Sequence, residues 1–190
     1  SPSTAEVPMS RPPSPFPLLL VLGLLAGPAR SAAEPAAAAA PAETVVLLDL
    51  NYTFVENQAE TARLGGKDFA RRIGLERYRR WLLDLVRERR VILITARPER
   101  NRAATLERIG TLLGWRPDEA WFNTQDLPPP ACKRDILERH VFPAHGRPDR
   151  TRYVAIESNP RTAVMYAAYG IPALRVWDEW QYGDSTKVVP

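Results

Sequence analysis

From residue 44 onward, short apolar runs alternate with segments in which apolar residues recur every three to four positions. Two of the runs, VVLLDL and RVILITAR, are continuous enough to be strands that are covered on both faces. Strands are predicted at 45–50, 90–97, 120–123, in RYVAIE at 152–157 and near PALRVWD at 172–178. This alternation with helical segments predicts a parallel sheet with helices on both faces.

Helical periodicity is evident at 75–90, 98–115 and 132–142, and Pro160 opens a further helix. We expect residues 75–90 to form one helix that buries a single apolar stripe, made of Leu75, Tyr78, Trp81, Leu82, Leu85 and Val86. The segment 54–89 between the first two strands then holds a short loop and one helix. It leaves no room for a large additional domain.

Residues 1–43 differ in composition from the rest of the chain. Residues 9–33 have the order of a secretory signal, with Arg11 before the apolar run 16–26 and small residues after it, and the Ala/Pro tract 34–43 resembles a linker. We expect residues 1–43 to be disordered and 44–190 to form one domain without stable membrane insertion, because the apolar run is too short to span a bilayer. The protein is exported if the signal is genuine, and cytoplasmic if this segment belongs to an over-extended reading frame.

The composition is that of a soluble globular protein, with 45% hydrophobic and 25% charged residues. The net charge is +4, and almost all of the 26 basic residues are arginines. Arginine matches phosphate oxygens well, although a solvated basic surface is the simpler interpretation. Cys132 is the only cysteine in the sequence, which excludes an intrachain disulfide and a cysteine-rich metal site. Any metal ion must therefore be held by oxygen ligands.

Polar residues follow the predicted strands where each strand ends. They are Asp49 and Asn51, then Thr95, then Glu157, Ser158 and Asn159, with Lys133 at the start of a predicted helix. In open parallel sheets, ligands bind at the carboxyl ends of the strands. We therefore expect these side chains to lie close together at that edge of the sheet.

The same residues carry a resemblance to a known family. Asp49 and Thr53 in DLNYT, Thr95 in ITAR, Lys133 before a helix, and Glu157 in AIESNP resemble the four successive motifs of the haloacid dehalogenase superfamily, over residues 44 to about 178. The resemblance implies an α/β, Rossmann-like three-layer sandwich with a mostly parallel sheet and no large cap domain. It also implies an aspartyl-phosphate on Asp49, and Mg²⁺ bound by Asp49, the backbone carbonyl of Asn51 and Glu157.

Two positions depart from the family pattern. Phosphatases of this superfamily usually have aspartate where Asn51 stands, and an amide can neither protonate a leaving group nor activate water. Since general acid–base help contributes about 10²–10⁴ in rate, we expect slow turnover, a long-lived aspartyl-phosphate or a substitute proton donor such as His145. Ser158 stands where relatives with an AIEDSP pattern have a metal-binding aspartate. We therefore expect Mg²⁺ to bind more weakly, with Glu157 acting directly or through water.

The sequence predicts a Mg²⁺-dependent phosphomonoester hydrolase in which Asp49, Asn51, Thr95 and Lys133 are the catalytic residues, and Thr53, Arg97 and Asn159 are candidate substrate contacts. Asn159 is equally suited to cap the helix that Pro160 opens. One alternative is a catalytically degenerate phosphate-binding module. Another is a polynucleotide 3′-phosphatase, because Arg97, Arg102 and Thr105 resemble the second motif region of those enzymes. A site without a cap implies large phosphorylated substrates, with nucleic acid among them.

Overall fold

The computed structural model describes residues 43–65 and 67–177. The predictions for residues 1–42, including the signal-like segment, and for the residues after 177 lie outside the described part. The elements are β1 Thr44–Leu48, α1 Gln58–Gly65, α2 Phe69–Leu75, α3 Arg80–Val86, β2 Arg90–Pro98, α4 Arg102–Leu113, β3 Glu119–Asn123, α5 Pro129–Ile136, α6 Phe142–His145, β4 Arg152–Glu157, α7 Pro160–Ala167 and β5 Ala173–Arg175.

The five strands form one sheet in the order β3-β2-β1-β4-β5, and all of the neighbouring pairs are parallel. β1 lies at the centre, with Leu48 opposite Leu93 of β2 and Ile156 of β4. Because the strands are parallel, the residues that follow β1, β2 and β4 emerge at the same edge of the sheet. The α/β, Rossmann-like class predicted from the sequence is confirmed.

Alternate residues of β1 point to opposite faces of the sheet, as strand geometry requires. Val46 and Leu48 join one core cluster with apolar residues of α3 and α4, including Leu82 and Ile109. Val45 and Leu47 join a second cluster with residues of α5 and α7, including Cys132, Ile136, Met165 and Tyr166. The sheet is thus covered by helices on both faces, and its central strands are almost wholly apolar for that reason.

The single helix predicted at 75–90 is wrong. The chain forms α2 up to Leu75, leaves helical geometry at Glu76, and starts α3 at Arg80. Tyr78 lies in this break and pairs with Val55 in an antiparallel bridge. Trp81 and Leu85 are 58% and 56% exposed. Periodicity alone missed the break because Glu76 is buried for a polar reason, namely an ion pair with Arg97.

The other predicted helices agree better with the structure. α4 ends at Gly114, whose φ of 60° is the left-handed conformation that terminates helices. α5 begins at Pro129, three residues before the predicted start, and continues through the turn Leu137–Val141 into α6. The last strand is shorter than predicted, at Ala173–Arg175. Within the described residues, no helix has both the length and the apolar character needed to cross a membrane.

Candidate active site

A tight turn after β1 places the first polar residues of the site. Asn51 is extended, and Tyr52 follows with a φ of 62°, which is costly for a residue with a Cβ. The turn brings Thr53 back, so that its Oγ1 donates to Oδ2 of Asp49 at 2.5 Å. An arginine side chain, Arg79, donates to the carbonyl of Tyr52 at 3.3 Å and supports this conformation. The turn thereby fixes the Asp49 carboxylate.

Lys133 joins the two carboxylates of the site. Its Nζ donates to Oδ1 of Asp49 and to Oε2 of Glu157, each at 2.5 Å, and its side chain is 2% exposed. Burial lowers the pKa of the Lys133 ammonium, but the charges of Asp49 and Glu157 raise it by more, so the pKa lies above its ordinary value. The lysine therefore stays charged and holds two segments that are distant in sequence.

Both oxygens of Glu157 accept hydrogen bonds. Oε1 accepts from the backbone N–H groups of Ser158 and Asn159 at 3.0 and 2.9 Å, while Oε2 accepts from Lys133. Burial and the neighbouring Asp49 carboxylate raise the pKa of Glu157 to about 7, against the opposing effect of Lys133. Because both Glu157 oxygens already accept hydrogen bonds, we expect Glu157 to reach a metal ion only through water.

Arg97 lies behind Asn51 in a second buried network. Its Nη2 donates to Oδ1 of Asn51 at 2.7 Å and to Oε1 of Glu76 at 2.5 Å. Its Nη1 donates to Oε2 of Glu76 at 3.2 Å and to Oγ1 of Thr105 at 2.9 Å. The side chain is fully buried, so Arg97 acts on the cavity through Asn51. Glu76 was not predicted as a residue of the site. The one signal in the sequence is that this acid adjoins apolar residues of the predicted helical stripe at 75–90.

The remaining predicted residues divide between the cavity and its support. Thr95 is fully buried, and its Oγ1 accepts from the backbone N–H of Arg97 at 3.1 Å. Oδ1 of Asn159 accepts from the N–H of Arg161 at 2.9 Å, so Asn159 caps α7, as one of its two interpretations predicted. Arg102 turns away from the site to Glu99 and to the carbonyl of Ala120.

A small cavity of about 100 Å³ opens between these elements. It is lined by Asp49, Asn51, Tyr52, Ala96, Pro129, Lys133, Glu157, Ser158 and Asn159. Sites that enclose a whole small molecule usually measure about 300–1,000 Å³, so this cavity can accept only the phosphoryl end of a substrate. Of the sequence-predicted residues, Thr53, Thr95 and Arg97 are not part of this lining.

The oxygen atoms around the cavity are of the kind that a hard cation binds, although few of them belong to acidic side chains. Among the described residues, no cluster of three or more His, Cys, Asp or Glu could hold a metal ion. The hydroxyl of Ser158 donates to the backbone carbonyl of Asn51 at 3.4 Å, and the carboxylate of Asp49 also lines the cavity. These three groups are oxygen donors of the type that Mg²⁺ prefers. With both carboxylates ionised, Asp49, Glu157 and Lys133 together carry a net charge of −1.

His145 and Cys132 take no part in the cavity. Nε2 of His145 lies 2.8 Å from Oε1 of Glu119, the first residue of β3, and therefore at the opposite edge of the sheet. Its predicted role as a substitute proton donor does not agree with this position. Cys132 is buried against the carbonyl of Thr95, and burial raises its pKa to about 11. It is an inert core thiol.

The comparisons with known proteins show similarity in fold. No family model matches the chain, and no curated protein matches it in sequence. A chain of the structure described as "Structure of Pnkp1/Rnl/Hen1 complex" matches with a TM-score of 0.55 and 17% identity, covering 76% of this protein. A chain of "Structure of the Pnkp1/Rnl/Hen1 RNA repair complex" matches with a TM-score of 0.50 and 17% identity, covering 71%.

The protein spans 48% and 42% of the lengths of those two chains. At this level of identity, the likeness shows that the α/β fold is shared and nothing finer.

Proposed function

We propose that the protein is a Mg²⁺-dependent phosphomonoester hydrolase that works through an aspartyl-phosphate on Asp49. The observation that carries this proposal is the position of the Asp49 carboxylate. It stands at the end of the central strand, in a cavity of phosphoryl size, between the Thr53 hydroxyl and the Lys133 ammonium. A strand-end acid fixed in this way is preorganised to attack a phosphoryl group.

The first step is an in-line displacement. A carboxylate oxygen of Asp49 forms a bond to phosphorus while the bond to the leaving-group oxygen breaks, and the electron pair departs with that oxygen. Lys133 lies within hydrogen-bond reach of Asp49 and can neutralise charge on the phosphoryl oxygens. Water then attacks the aspartyl-phosphate, which regenerates Asp49 and releases inorganic phosphate. Asn51 has no proton to give and cannot take one, so both steps lack general acid–base help.

Mg²⁺ would be held by Asp49, the carbonyl of Asn51 and the hydroxyl of Ser158, and would polarise the phosphoryl oxygens when bound. The charge balance supports this requirement. With both carboxylates ionised, the site carries −1 from these two groups and one ammonium group, and a phosphoryl dianion adds two more negative charges. The charge on Arg97 is neutralised by Glu76, and Lys133 is the one cationic residue among the described residues that line the cavity, so an added cation would offset this repulsion.

A polynucleotide phosphatase is the second candidate, with the terminal phosphate of a strand as substrate. The fold is similar to that of chains from a structure described as an RNA repair complex. The cavity admits a phosphoryl group and leaves the rest of a large substrate outside. The arginine-rich composition would suit the backbone phosphates of the nucleic-acid strand that carries this terminal phosphate.

The test uses the full chain with p-nitrophenyl phosphate and added Mg²⁺. We expect slow turnover that Asp49→Asn abolishes, whereas Asp84→Asn, the same change at an exposed position of α3, leaves it unaltered. Absence of turnover at every Mg²⁺ concentration would favour the degenerate phosphate-binding module. Hydrolysis of an oligonucleotide 3′-phosphate with binding that weakens steeply with salt would identify the second candidate.

A further inference from the structure

We infer that this site transfers phosphoryl groups from leaving groups that depart as stable anions, namely phenolates, carboxylates and phosphates, and is inefficient with alcohols. The inference rests on the proposed function and narrows its substrate class. It follows from the way in which Arg97 holds Asn51, together with the engagement of the other polar groups around the cavity.

The orientation of the Asn51 amide is set by chemistry. An arginine guanidinium has donors and no acceptor, so the atom of Asn51 that lies 2.7 Å from Nη2 of Arg97 must be the amide oxygen. Asn51 is also one of the residues that line the cavity. Its amide nitrogen is then the group that can serve a substrate. An amide N–H can donate a hydrogen bond to an oxygen but does not transfer its proton at neutral pH.

Arg97 is held too firmly to allow a different arrangement. Glu76 binds both of its terminal nitrogens, and Thr105 accepts from one of them. Both side chains of the Arg97–Glu76 pair are at most 1% exposed. Turning the Asn51 oxygen away would cost a partly buried, charge-assisted hydrogen bond. Position 51 is therefore fixed as a neutral hydrogen-bond donor.

The other polar groups at the cavity are committed elsewhere. Both oxygens of Glu157 already accept hydrogen bonds, and Lys133 is shared between two carboxylates. Ser158 donates to the carbonyl of Asn51, and an aliphatic hydroxyl is a much weaker acid than a carboxylic acid, so it is a poor general acid near neutral pH. Tyr52 also lines the cavity and carries a phenol with a transferable proton, which a variant can remove.

The consequence appears in the bond-breaking step. As the bond between Asp49 and phosphorus forms, the leaving oxygen takes the electron pair and receives no proton. A phenolate, a carboxylate or a phosphate accommodates that charge, whereas an alkoxide does not. A positioned acid contributes about 10²–10⁴ in rate where the leaving group needs a proton. Alcohol leaving groups should therefore carry this penalty.

The experiment measures kcat/KM of the full chain with Mg²⁺, because kcat/KM reports the step that releases the leaving group. The substrates are ring-substituted phenyl phosphates, acetyl phosphate, an oligonucleotide 5′-triphosphate, an oligonucleotide 3′-phosphate and glycerol phosphate. We expect kcat/KM to fall steeply as the pKa of the leaving group rises, with both alkyl phosphates at least about 10²-fold below the best phenyl phosphate. The acyl, anhydride and phenyl substrates distinguish the three kinds of leaving group.

Variants test whether Asn51 is the reason that the leaving group receives no proton. Asn51→Asp should raise kcat/KM for the two alkyl phosphates by about 10²-fold or more and change the nitrophenyl ester little. Asn101→Asp is the matched control, because it makes the same change at the residue before α4, outside the cavity, where the side chain makes no capping hydrogen bond. Tyr52→Phe should leave the wild-type profile steep.

The outcomes are distinct. A wild-type kcat/KM that does not depend on the leaving group would overturn the inference and leave the proposed function standing, whether or not the Asn51 variant folds. A profile that becomes steep only in Tyr52→Phe would also overturn it, since Tyr52 would then be the acid. If Asn51→Asp raises kcat/KM equally for all substrates, or does not raise it, Asn51 is not the cause of the dependence on the leaving group. No turnover in the whole series, with no phosphorylated Asp49, would refute both proposals.

Discussion

Replacing Arg97 with methionine tests whether the network behind Asn51 stabilises the fold as strongly as its burial implies. The Arg97–Glu76 pair has two ion-pair contacts, at 2.5 and 3.2 Å, and neither side chain is more than 1% exposed. Arg97→Met removes the guanidinium but keeps much of its aliphatic bulk. The carboxylate of Glu76 would remain buried with the Tyr78 hydroxyl as its surviving partner.

The expected cost follows from that isolated charge. Removing one partner of a buried ion pair typically costs about 3–5 kcal/mol in the free energy of unfolding, because the other charge is left without compensation. For a chain of this size, each 1 kcal/mol lowers Tm by about 2–4 °C, so the Arg97 variant should melt about 6–20 °C below the wild type. The exposed pair Arg77–Glu60 is the control, and Arg77→Met should cost about 0–1 kcal/mol.

The assay is chemical and thermal unfolding of the full chain, followed by circular dichroism. A double variant, Arg97→Met with Glu76→Gln, removes both charges and keeps an amide that can still bind the Tyr78 hydroxyl. It should recover part of the loss, because the uncompensated carboxylate is gone. If Arg97→Met costs no more than Arg77→Met, or if the double variant is less stable than the single one, the charge-based explanation is wrong.

Three further predictions concern the chemistry. The release of nitrophenol should begin with a burst equal to the enzyme concentration, because water attack on the Asp49 phosphate lacks a base; a linear time course from the first turnover would contradict this. Lys133→Arg should not restore the activity lost in Lys133→Met, since a planar guanidinium does not replace an ammonium between two carboxylates, and assays of both variants beside the wild type decide it. Chelation should abolish turnover, and Ser158→Asp should lower the Mg²⁺ concentration that gives half-maximal rate; an unchanged titration would remove Ser158 from the metal shell.

The sheet was predictable because its signal is local. Continuous apolar runs such as 45–48 need partners on both faces, and a parallel sheet covered by helices is the arrangement that provides them. The helix at 75–90 failed because two requirements conflict there. Its apolar spacing favours one helix, whereas the buried Glu76 and the Val55–Tyr78 bridge require the chain to leave helical geometry. Tertiary contacts decided the outcome.

The residues that reach the cavity were predictable for a topological reason. Parallel strands deliver Asp49 and Glu157 to one edge, and a helix on the neighbouring connection brings Lys133 between them. The supporting network was not predictable in the same way. The ion pair joins Arg97 in β2 to Glu76, which lies 21 positions earlier in the break between α2 and α3. No rule of residue spacing anticipates this pair. The sequence predicted the polar groups at the strand ends but not the Arg97–Glu76 pair that holds Asn51.

The charge of the complete site separates the catalytic proposal from a passive phosphate-binding module. Three carboxylates, Asp49, Glu157 and Glu76, face two cations, Lys133 and Arg97, which leaves a net charge of −1 before any phosphate enters when all three acids are ionised. A module selected only to bind phosphate would gain by losing the Asp49 carboxylate, which repels the ligand at short range. Retaining that carboxylate in the cavity has a physical purpose if it attacks phosphorus with a divalent cation beside it. Phosphate binding should therefore require Mg²⁺ in the wild type and become less dependent on it in Asp49→Asn.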